Sequence, residues 1–216
     1  AYLKPWGLKA TDVIRTFEEP IGTNGTVAIL RGNLAPDGAV VKHSAVPKEM
    51  FRAVLRARPF DSEEEAIDAV LTHKIRPGDA VIIRYEGPVG SGMPEMFYTT
   101  EAIASDEELA KSIALITDGR FSGASKGPAI GHVSPEAAAG GPIALLETDD
   151  LILLNIEERK LEIVGVKGRE LAEEEIEKIL EERKRAWRPK EEKYKSGVLK
   201  IYSEHAVSPM KGGYMK

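Results

Sequence analysis

The chain has 216 residues, of which 42% are hydrophobic and 30% charged, and this balance excludes the disordered and collagen-like classes of protein. Its formal net charge of -5 leaves no broad positive surface, so we expect neither nucleic acid nor a membrane as a partner. The absence of cysteine excludes disulfides and any thiolate-ligated metal or cluster built from this chain alone.

The N-terminal half of the chain predicts strands around a turn, followed by helices. Apolar runs at 27–32 and 39–42 flank Pro36-Asp37-Gly38, which is strong turn chemistry. Residues 61–74 begin with a capping residue and an acidic first turn, and then place apolar side chains on one helical face: Ala66, Ile67, Val70 and Leu71. A second capping pattern predicts a helix over 105–112.

Continuous runs of apolar and β-branched residues predict buried strands at 80–84 and 113–117, and each leads into a glycine-containing loop. Shorter apolar runs predict strands at 142–146, 151–156 and 160–164. Residues 171–187 form a charged amphipathic pattern, typical of a helix with one solvated face; partner binding through that face is the alternative.

No repeat or linker divides the chain, so we predict a single α/β domain over residues 1–216. Strands and helices alternate irregularly, which favours a closed or half-closed barrel of mixed strands over a doubly wound sheet. The barrel core is expected over about 20–168, followed by a helix and tail over 169–216. The tail from residue 188 is a candidate for docking on a partner.

Three loops combine glycine or proline with ionisable groups. The first, 31–38, is best interpreted as a tight turn capped by Asp37, and the other two carry candidate chemistry. In the loop 84–95, Glu86 and Glu95 could offer oxygen ligands to a hard cation such as Mg²⁺, or could satisfy backbone donors of the glycine-rich turn. In the loop 117–136, glycines flank the segment that carries Ser122, a candidate nucleophile or proton acceptor. Ser122 is not the nucleophile elbow of hydrolases, because the residue two positions before it is Arg120 and not the glycine of a GxSxG motif. His132 is either a base or a structural residue, and Ser134-Pro135-Glu136 predicts the start of a helix.

The segments GNLAPDGAVVK at 32–42, RYEGPVGSGMPEM at 84–96 and ALITDGRFSGASKGPAIGHVSPEAAAGGPIAL at 114–145 resemble the C-terminal domain of the dihydroxy-acid dehydratase and 6-phosphogluconate dehydratase family. The resemblance implies a swivelling, β-barrel-like α/β domain of mixed sheet with peripheral helices. Such a domain closes over a site on an N-terminal domain.

The resemblance also implies a reaction, the dehydration of a 2,3-dihydroxy acid to a 2-keto acid by a hydro-lyase that uses Mg²⁺ and an iron-sulfur cluster. By the family's motifs, Ser122 removes the C2 proton and Glu95 ligates Mg²⁺. The remaining motif residues are assigned substrate contacts or supporting roles, and they are Arg84, Glu86, Arg120 and Ser125. Asp118 is expected to shape its turn.

The family's cluster cysteines and its other Mg²⁺ ligands, an aspartate and a modified lysine, belong to the N-terminal domain, which nothing in this chain matches. We therefore expect this chain alone to be inactive, and its partner to be that domain or a separate subunit. Whether the chain is an excised piece or one subunit of a split enzyme stays open. The resemblance further implies a homodimer of the complete enzyme.

Two features bear on the substrate. The segment GSGMPEMFYTTEAI departs from the pattern usual in branched-chain biosynthesis and is closer to members that act on sugar acids such as pentonates, whereas GNLAPDGAVVK and HVSPEAA fit the branched-chain members. We place the branched-chain activity first and the sugar-acid activity second. A non-catalytic binding module is a further alternative, which the missing cysteines favour and the intact Ser122 and Glu95 motifs oppose.

Cellular context follows from composition. No apolar run is long enough for a membrane span and the first residues lack a secretory signal pattern, so we expect a cytoplasmic protein. Glutamine is absent and asparagine occurs at positions 24, 33 and 155 alone, whereas Glu and Lys are plentiful. This balance is typical of proteins from hot environments.

Overall fold

The fold is built on one mixed sheet, seen in a computed structural model that describes residues 2–123 and 125–216. The strands in the described part of the chain are β1 Ala28–Leu30, β2 Gly38–Val41, β3 Arg52–Phe60, β4 Asp79–Ile83, β5 Ala114–Thr117, β6 Ala129–Ser134, β7 Leu151–Asn155, β8 Lys160–Val166 and β9 Arg169–Glu170. Their order across the sheet is β1-β2-β6-β5-β4-β3-β7-β8-β9. The neighbours from β6 to β3 run parallel, and all other pairs run antiparallel.

The sheet curls so that the residue after β1 reaches the start of β8, the strand next to the opposite end of the sheet. Arg31, directly after β1, donates its N–H to the carbonyl of Arg159 at 2.9 Å and accepts from the N–H of Leu161 at 2.8 Å. The side chain of Asn33 exchanges two hydrogen bonds with the backbone of Ile163 in β8. A Cβ on Gly32 would lie 2.4 Å from the Leu161 carbonyl oxygen, so only glycine permits this approach. The half-barrel that the sequence predicts is confirmed.

The apolar core lies on both faces of the curled sheet. Every residue of β4 is buried, and its side chains alternate: Ala80 and Ile82 join the larger cluster, whereas Val81 and Ile83 join a second cluster on the other face. A strand buried on both faces reads as an uninterrupted apolar run, because no position faces water. This explains why the apolar run at 80–84 correctly predicted a buried strand.

Helices pack against the second core cluster and against the C-terminal strands of the sheet. Those of the described residues are α1 Ala10–Val13, α2 Glu63–Leu71, α3 Pro88–Ser91, α4 Phe97–Ala104, α5 Leu109–Ser112, α6 Glu173–Ala186 and α7 Val198–His205. None of these helices combines the length and apolar character that crossing a bilayer demands.

Helix α2 confirms the prediction at 61–74. The Ser62 hydroxyl accepts a hydrogen bond from the N–H of Glu65 at 3.2 Å, which caps the helix. Its buried face is Ala66, Ala69 and Val70, whereas Leu71, expected on that face, is 62% exposed.

Two predicted elements differ in type or extent. Residues 142–146 are not a strand but a 3-10 helix, Pro142–Leu145, whose proline stands at the first turn. Carbonyls around this turn are satisfied by Arg84 and Arg183 instead of by a neighbouring strand. The helix predicted over 105–112 is only the short α5, because Asp106 caps the N–H groups of Glu108 and Leu109.

The predicted helix start at Ser134-Pro135-Glu136 is wrong. Ser134 ends β6, the bond to Pro135 is cis, and Glu136 precedes a 3-10 turn, Ala137–Ala139. Strand β6 itself was not predicted, because Gly131 and His132 interrupt its apolar run.

The C-terminal helix and tail pack on the chain's own half-barrel. Helix α6 agrees with the prediction at 171–187 and buries Ile176 against the larger core cluster. Arg183 of α6 donates both terminal nitrogens to the buried carboxylate of Asp150, the Nη2–Oδ1 distance being 3.1 Å. In the tail, Lys190 pairs with Asp61, and α7 packs on α3. Docking on a partner, proposed for the tail from its sequence, stays a prediction.

Candidate active site

The two loops singled out in the sequence leave the same edge of the sheet and are joined to each other. They follow β4 and β5, which are parallel neighbours, so their C-terminal ends lie side by side. Glu95 and Arg120 form an isolated bridge, and the N–H of Met96 donates to the Arg120 carbonyl at 2.9 Å. The Nε of Arg120 donates to the Met93 carbonyl at 2.8 Å. The structure therefore brings Glu95 and the loop of Ser122 together.

Asp118 organises this junction from beneath. It is fully buried, and its carboxylate accepts hydrogen bonds from the N–H groups of Tyr85, Glu86 and Ala137 at 3.1, 2.9 and 2.8 Å. One side chain thus links the start of the first loop, the start of the second loop and the segment after β6. Asp118 was expected to shape its own turn, whereas the hydrogen bonds seen here join that turn to two other segments of the chain.

A second buried carboxylate, that of Glu136, lies nearby. It accepts from the N–H groups of Val89 and Gly90 at 3.0 to 3.1 Å, at the beginning of α3. A Cβ on Gly87 would lie 2.4 Å from its Oε2, so this packing requires glycine at position 87. Burial raises the pKa of Glu136.

Burial also raises the pKa of Asp118 from 3.8 to about 7; its N–H donors oppose this shift and Glu136 adds to it. A carboxyl whose pKa is higher in the folded state binds its proton more tightly when folded. Asp118 therefore stabilises the fold most at acid pH, and this contribution is lost as the pH rises from about 4 to about 7.

We predict that Asp118→Asn removes this pH dependence, because asparagine does not ionise. Urea unfolding of the wild type and the variant between about pH 4 and 8 measures it. The free energy of unfolding of the wild type should fall relative to that of the variant across the window. Two profiles that stay parallel would contradict the prediction.

Ser122 lines a cavity of about 390 Å³ beside β2 and β6. The serine is half-buried, and its carbonyl accepts from the N–H of Ser125 at 3.3 Å, so the loop turns back on itself. Ser125 lies in the same cavity wall, together with Phe121 and His132. Of the residues predicted as site residues, Ser122 and Ser125 thus share one cavity.

His132 belongs to this wall in an unusual backbone conformation, with φ of 58°. Its N–H donates to the Gly119 carbonyl at 2.8 Å, which ties β6 to the start of the Ser122 loop. Burial lowers the pKa of His132, and the positive charge of Arg120 lowers it further. The imidazole is therefore mainly neutral at pH 7.

Glu95 offers one available carboxylate at the edge of this site. The residue is half-buried, and its side chain makes no hydrogen bond or ion pair that is seen within residues 2–123 and 125–216. Those residues contain no group of three or more potential His, Cys, Asp or Glu ligands around a common point. Glu95 can thus supply one carboxylate ligand to a metal ion, but the described residues do not supply a full ligand set.

The structure does not bring Arg84 and Glu86 to Ser122. Arg84 donates its Nε to Asp61 and its Nη1 to the carbonyls of Ala144 and Leu146 at 3.0 and 2.9 Å. Glu86 is buried, accepts from the Ser91 hydroxyl and pairs with Lys193 of the tail. Their predicted contacts with substrate stay predictions, and the contacts observed here are structural.

Sequence reasoning missed Lys42, which lines the Ser122 cavity together with Thr26 and Val40. Lys42 follows β2, whose residue Val41 pairs with Ile130 of β6. In the sequence, the only indication of a role for Lys42 was its position at the end of the motif GNLAPDGAVVK. Its proximity to Ser122 could not be predicted, because it depends on strand pairing between residues that are distant in sequence.

Comparison with known proteins gives a consistent result. Residues 12–213 match the family model of the dihydroxy-acid/6-phosphogluconate dehydratase C-terminal domain. The chain is 46% identical over 218 residues to the dihydroxy-acid dehydratase of Methanothrix thermoacetophila, with 100% of this chain and 38% of the relative covered. It is 48% identical over 206 residues to that of Ignicoccus hospitalis, with 95% of this chain and 35% of the relative covered. It is 49% identical over 209 residues to that of Clostridium kluyveri, with 96% of this chain and 36% of the relative covered. The chain spans little more than a third of the length of these relatives.

Proposed function

The chain belongs to the dihydroxy-acid/6-phosphogluconate dehydratase C-terminal family, and we propose that it supplies the proton-accepting part of a hydro-lyase active site. The reaction we assign is the dehydration of a 2,3-dihydroxy acid to a 2-keto acid, with a branched-chain dihydroxy acid as the first candidate substrate. Relatives named dihydroxy-acid dehydratase at 46 to 50% identity support this substrate class over a sugar acid.

The observation that carries the proposal is the junction between the Ser122 loop and the Glu95 loop. A general base is effective only when the group that stabilises the charge developing on the substrate is held at a constant position relative to that base. In this proposal Ser122 is the base, and Glu95 would hold the charge-stabilising cation. The Glu95–Arg120 bridge, the Met96–Arg120 hydrogen bond and the buried Asp118 together hold these loops in one arrangement. A binding module would have no need for this coupling.

In the proposed reaction Ser122 acts as an alkoxide, and its Oγ takes the proton from C2 of the substrate and becomes a hydroxyl. The serine's own proton has to leave before this step, because a neutral hydroxyl is too weak a base to remove a proton from carbon. The electron pair of the C2–H bond forms a C2–C3 double bond, and the C3–O bond breaks so that the hydroxyl leaves as water after protonation. The resulting enol is converted to the 2-keto acid when its hydroxyl proton is lost and C3 gains a proton. The net change is the loss of one water molecule.

Glu95 is the residue of this chain that fits Mg²⁺, because carboxylate oxygen is a ligand this cation prefers and the Glu95 side chain is available. When bound, Mg²⁺ would supply positive charge near the substrate carboxylate and C2 oxygen. The described residues offer no complete ligand set, so the other ligands have to come from another part of the enzyme. Without cysteine, this chain likewise offers no thiolate to an iron-sulfur cluster.

We assign these missing parts to the N-terminal region that the longer relatives carry. The chain covers only 35 to 38% of those proteins, which supports a partner of roughly twice its size, as a domain or a subunit. We propose that this chain alone is inactive and that the complete enzyme is a cytoplasmic homodimer.

The proposal is tested by assembling the chain anaerobically with such an N-terminal part and measuring 2-keto acid formation. The substrates are 2,3-dihydroxyisovalerate and a pentonate, and the separate parts serve as controls. We expect turnover by the assembly alone, with the branched dihydroxy acid preferred. Preference for the pentonate would favour the sugar-acid reaction, and an assembly that turns over neither acid would reject the dehydratase assignment for these substrates.

We predict that Glu95→Gln raises the Mg²⁺ concentration needed for half-maximal turnover by at least about 10-fold, because a neutral amide is a poorer ligand for a divalent cation. Glu101→Gln, which changes an exposed carboxylate of α4, is the matched control and should leave the Mg²⁺ requirement unchanged. Equal Mg²⁺ requirements for Glu95→Gln and the wild type would remove Glu95 from the metal site.

A further inference from the structure

We propose that Lys42 binds the carboxylate of the substrate in the Ser122 cavity. This inference rests on the proposed function and assigns to a residue at the end of β2 the role of fixing the anionic end of the hydroxy acid. Neither the capping chemistry nor the core packing of the chain requires a lysine at this position.

Lys42 touches the loop that carries Ser122. Its Nζ donates a hydrogen bond to the carbonyl of Gly123, the residue next to Ser122, at 2.5 Å. The pairing of Val41 with Ile130 places the start of this side chain beside β6, residues of which also line the cavity. The ammonium group is therefore held at the cavity by a strand and by the catalytic loop together.

Lys42 is exposed, and its charge is not paired with a carboxylate in the described part of the chain. No ion pair joins it to a carboxylate within the described residues, although lysines elsewhere, such as Lys190 and Lys193, pair with Asp61 and Glu86. The cavity wall is otherwise made of small, apolar, hydroxyl-bearing and imidazole groups, and burial keeps His132 mainly neutral. A single positive charge in such a wall favours an anionic ligand.

The chemistry of the ammonium group suits a carboxylate. It carries three N–H donors, and one of them reaches the Gly123 carbonyl. The others can donate to a carboxylate oxygen, forming charge-assisted hydrogen bonds that are stronger than neutral ones. A carboxylate held in this way would keep C2, the adjacent carbon, within the cavity that Ser122 lines.

The test uses the assembled enzyme and an unreactive substrate analogue, a 2-hydroxy acid that lacks the C3 hydroxyl, together with its uncharged amide. Dissociation constants are measured by calorimetry for the wild type, Lys42→Met, Lys42→Arg and the control Lys48→Met, which changes an exposed lysine of the connection between β2 and β3. We expect Lys42→Met to weaken binding of the acid by about 10- to 100-fold, the loss of a charge-assisted hydrogen bond. Binding of the amide should change by less than about twofold, and arginine should restore most of the affinity for the acid.

Other outcomes overturn the inference. If the acid binds Lys42→Met as tightly as the wild type, Lys42 does not hold the carboxylate. If the acid and the amide weaken equally, Lys42 acts only on the shape of the Ser122 loop. A shift in melting temperature of no more than about 3 °C would exclude general unfolding of the variant. Failure of the proposed function would be seen separately, in the turnover assay. If the assembled wild-type enzyme shows no turnover, the dehydratase assignment is rejected, and the dissociation constants for the acid still decide whether Lys42 binds a carboxylate.

Discussion

Ser122→Ala is expected to lower kcat of the assembled dehydratase by about 10²- to 10⁴-fold, the usual cost of removing a general base. Alanine has no group that can take the C2 proton, and another basic side chain beside the cavity loop, that of His132, lies on β6. The KM should change much less than kcat, because the substrate would still be held by its carboxylate and hydroxyl groups. Steady-state kinetics on the branched dihydroxy acid measures both quantities.

The matched control is Ser125→Ala, which removes a hydroxyl from the same loop and the same cavity wall. A hydroxyl that only contacts substrate contributes one neutral hydrogen bond, so we expect a loss of less than about 10-fold in kcat/KM. If Ser122→Ala and Ser125→Ala reduce turnover to a similar small extent, the proton acceptor is a different residue. His132→Asn would then be the next variant to compare.

Arg183→Met is expected to lower the free energy of unfolding of the chain by about 3 to 5 kcal/mol, because it leaves a buried carboxylate without its partner. The Asp150 side chain has no exposed surface, and Arg183 donates to its two oxygens while also reaching the Leu145 carbonyl at 3.0 Å. This contact holds α6 against the 3-10 helix Pro142–Leu145 and the turn that precedes β7. Urea unfolding of the purified chain measures the loss.

Arg185→Met is the matched control on the same helix. Arg185 is 79% exposed and pairs with Glu181 one turn away, so its loss should change stability by no more than about 0.5 kcal/mol. In the double variant Arg183→Met with Asp150→Asn, part of the lost stability should return because the unpaired charge is gone. If Arg183→Met is as harmless as Arg185→Met, the buried pair does not stabilise α6 packing.

Much of the fold could be predicted from local sequence. The unbroken apolar run of β4, the turn chemistry before β2 and the capping pattern of α2 act within a few residues, so they are legible without tertiary structure. The apolar run at 142–146 misled the prediction because its buried side chains pack in a 3-10 turn, and burial alone does not distinguish a turn from a strand.

The sequence by itself determined the identities of Ser122 and Glu95 as candidate groups, since both lie in motifs of contiguous residues. Tertiary structure alone decided which groups meet. The parallel pairing of β4 with β5 joins the Glu95 and Ser122 loops, and the antiparallel pairing of β2 with β6 brings Lys42 to the same cavity. It also turned Arg84 and Glu86 away, towards Asp61 and the C-terminal tail. The physical reason is that strand pairing and buried ion pairs depend on contacts between residues far apart in the chain, which local patterns do not encode.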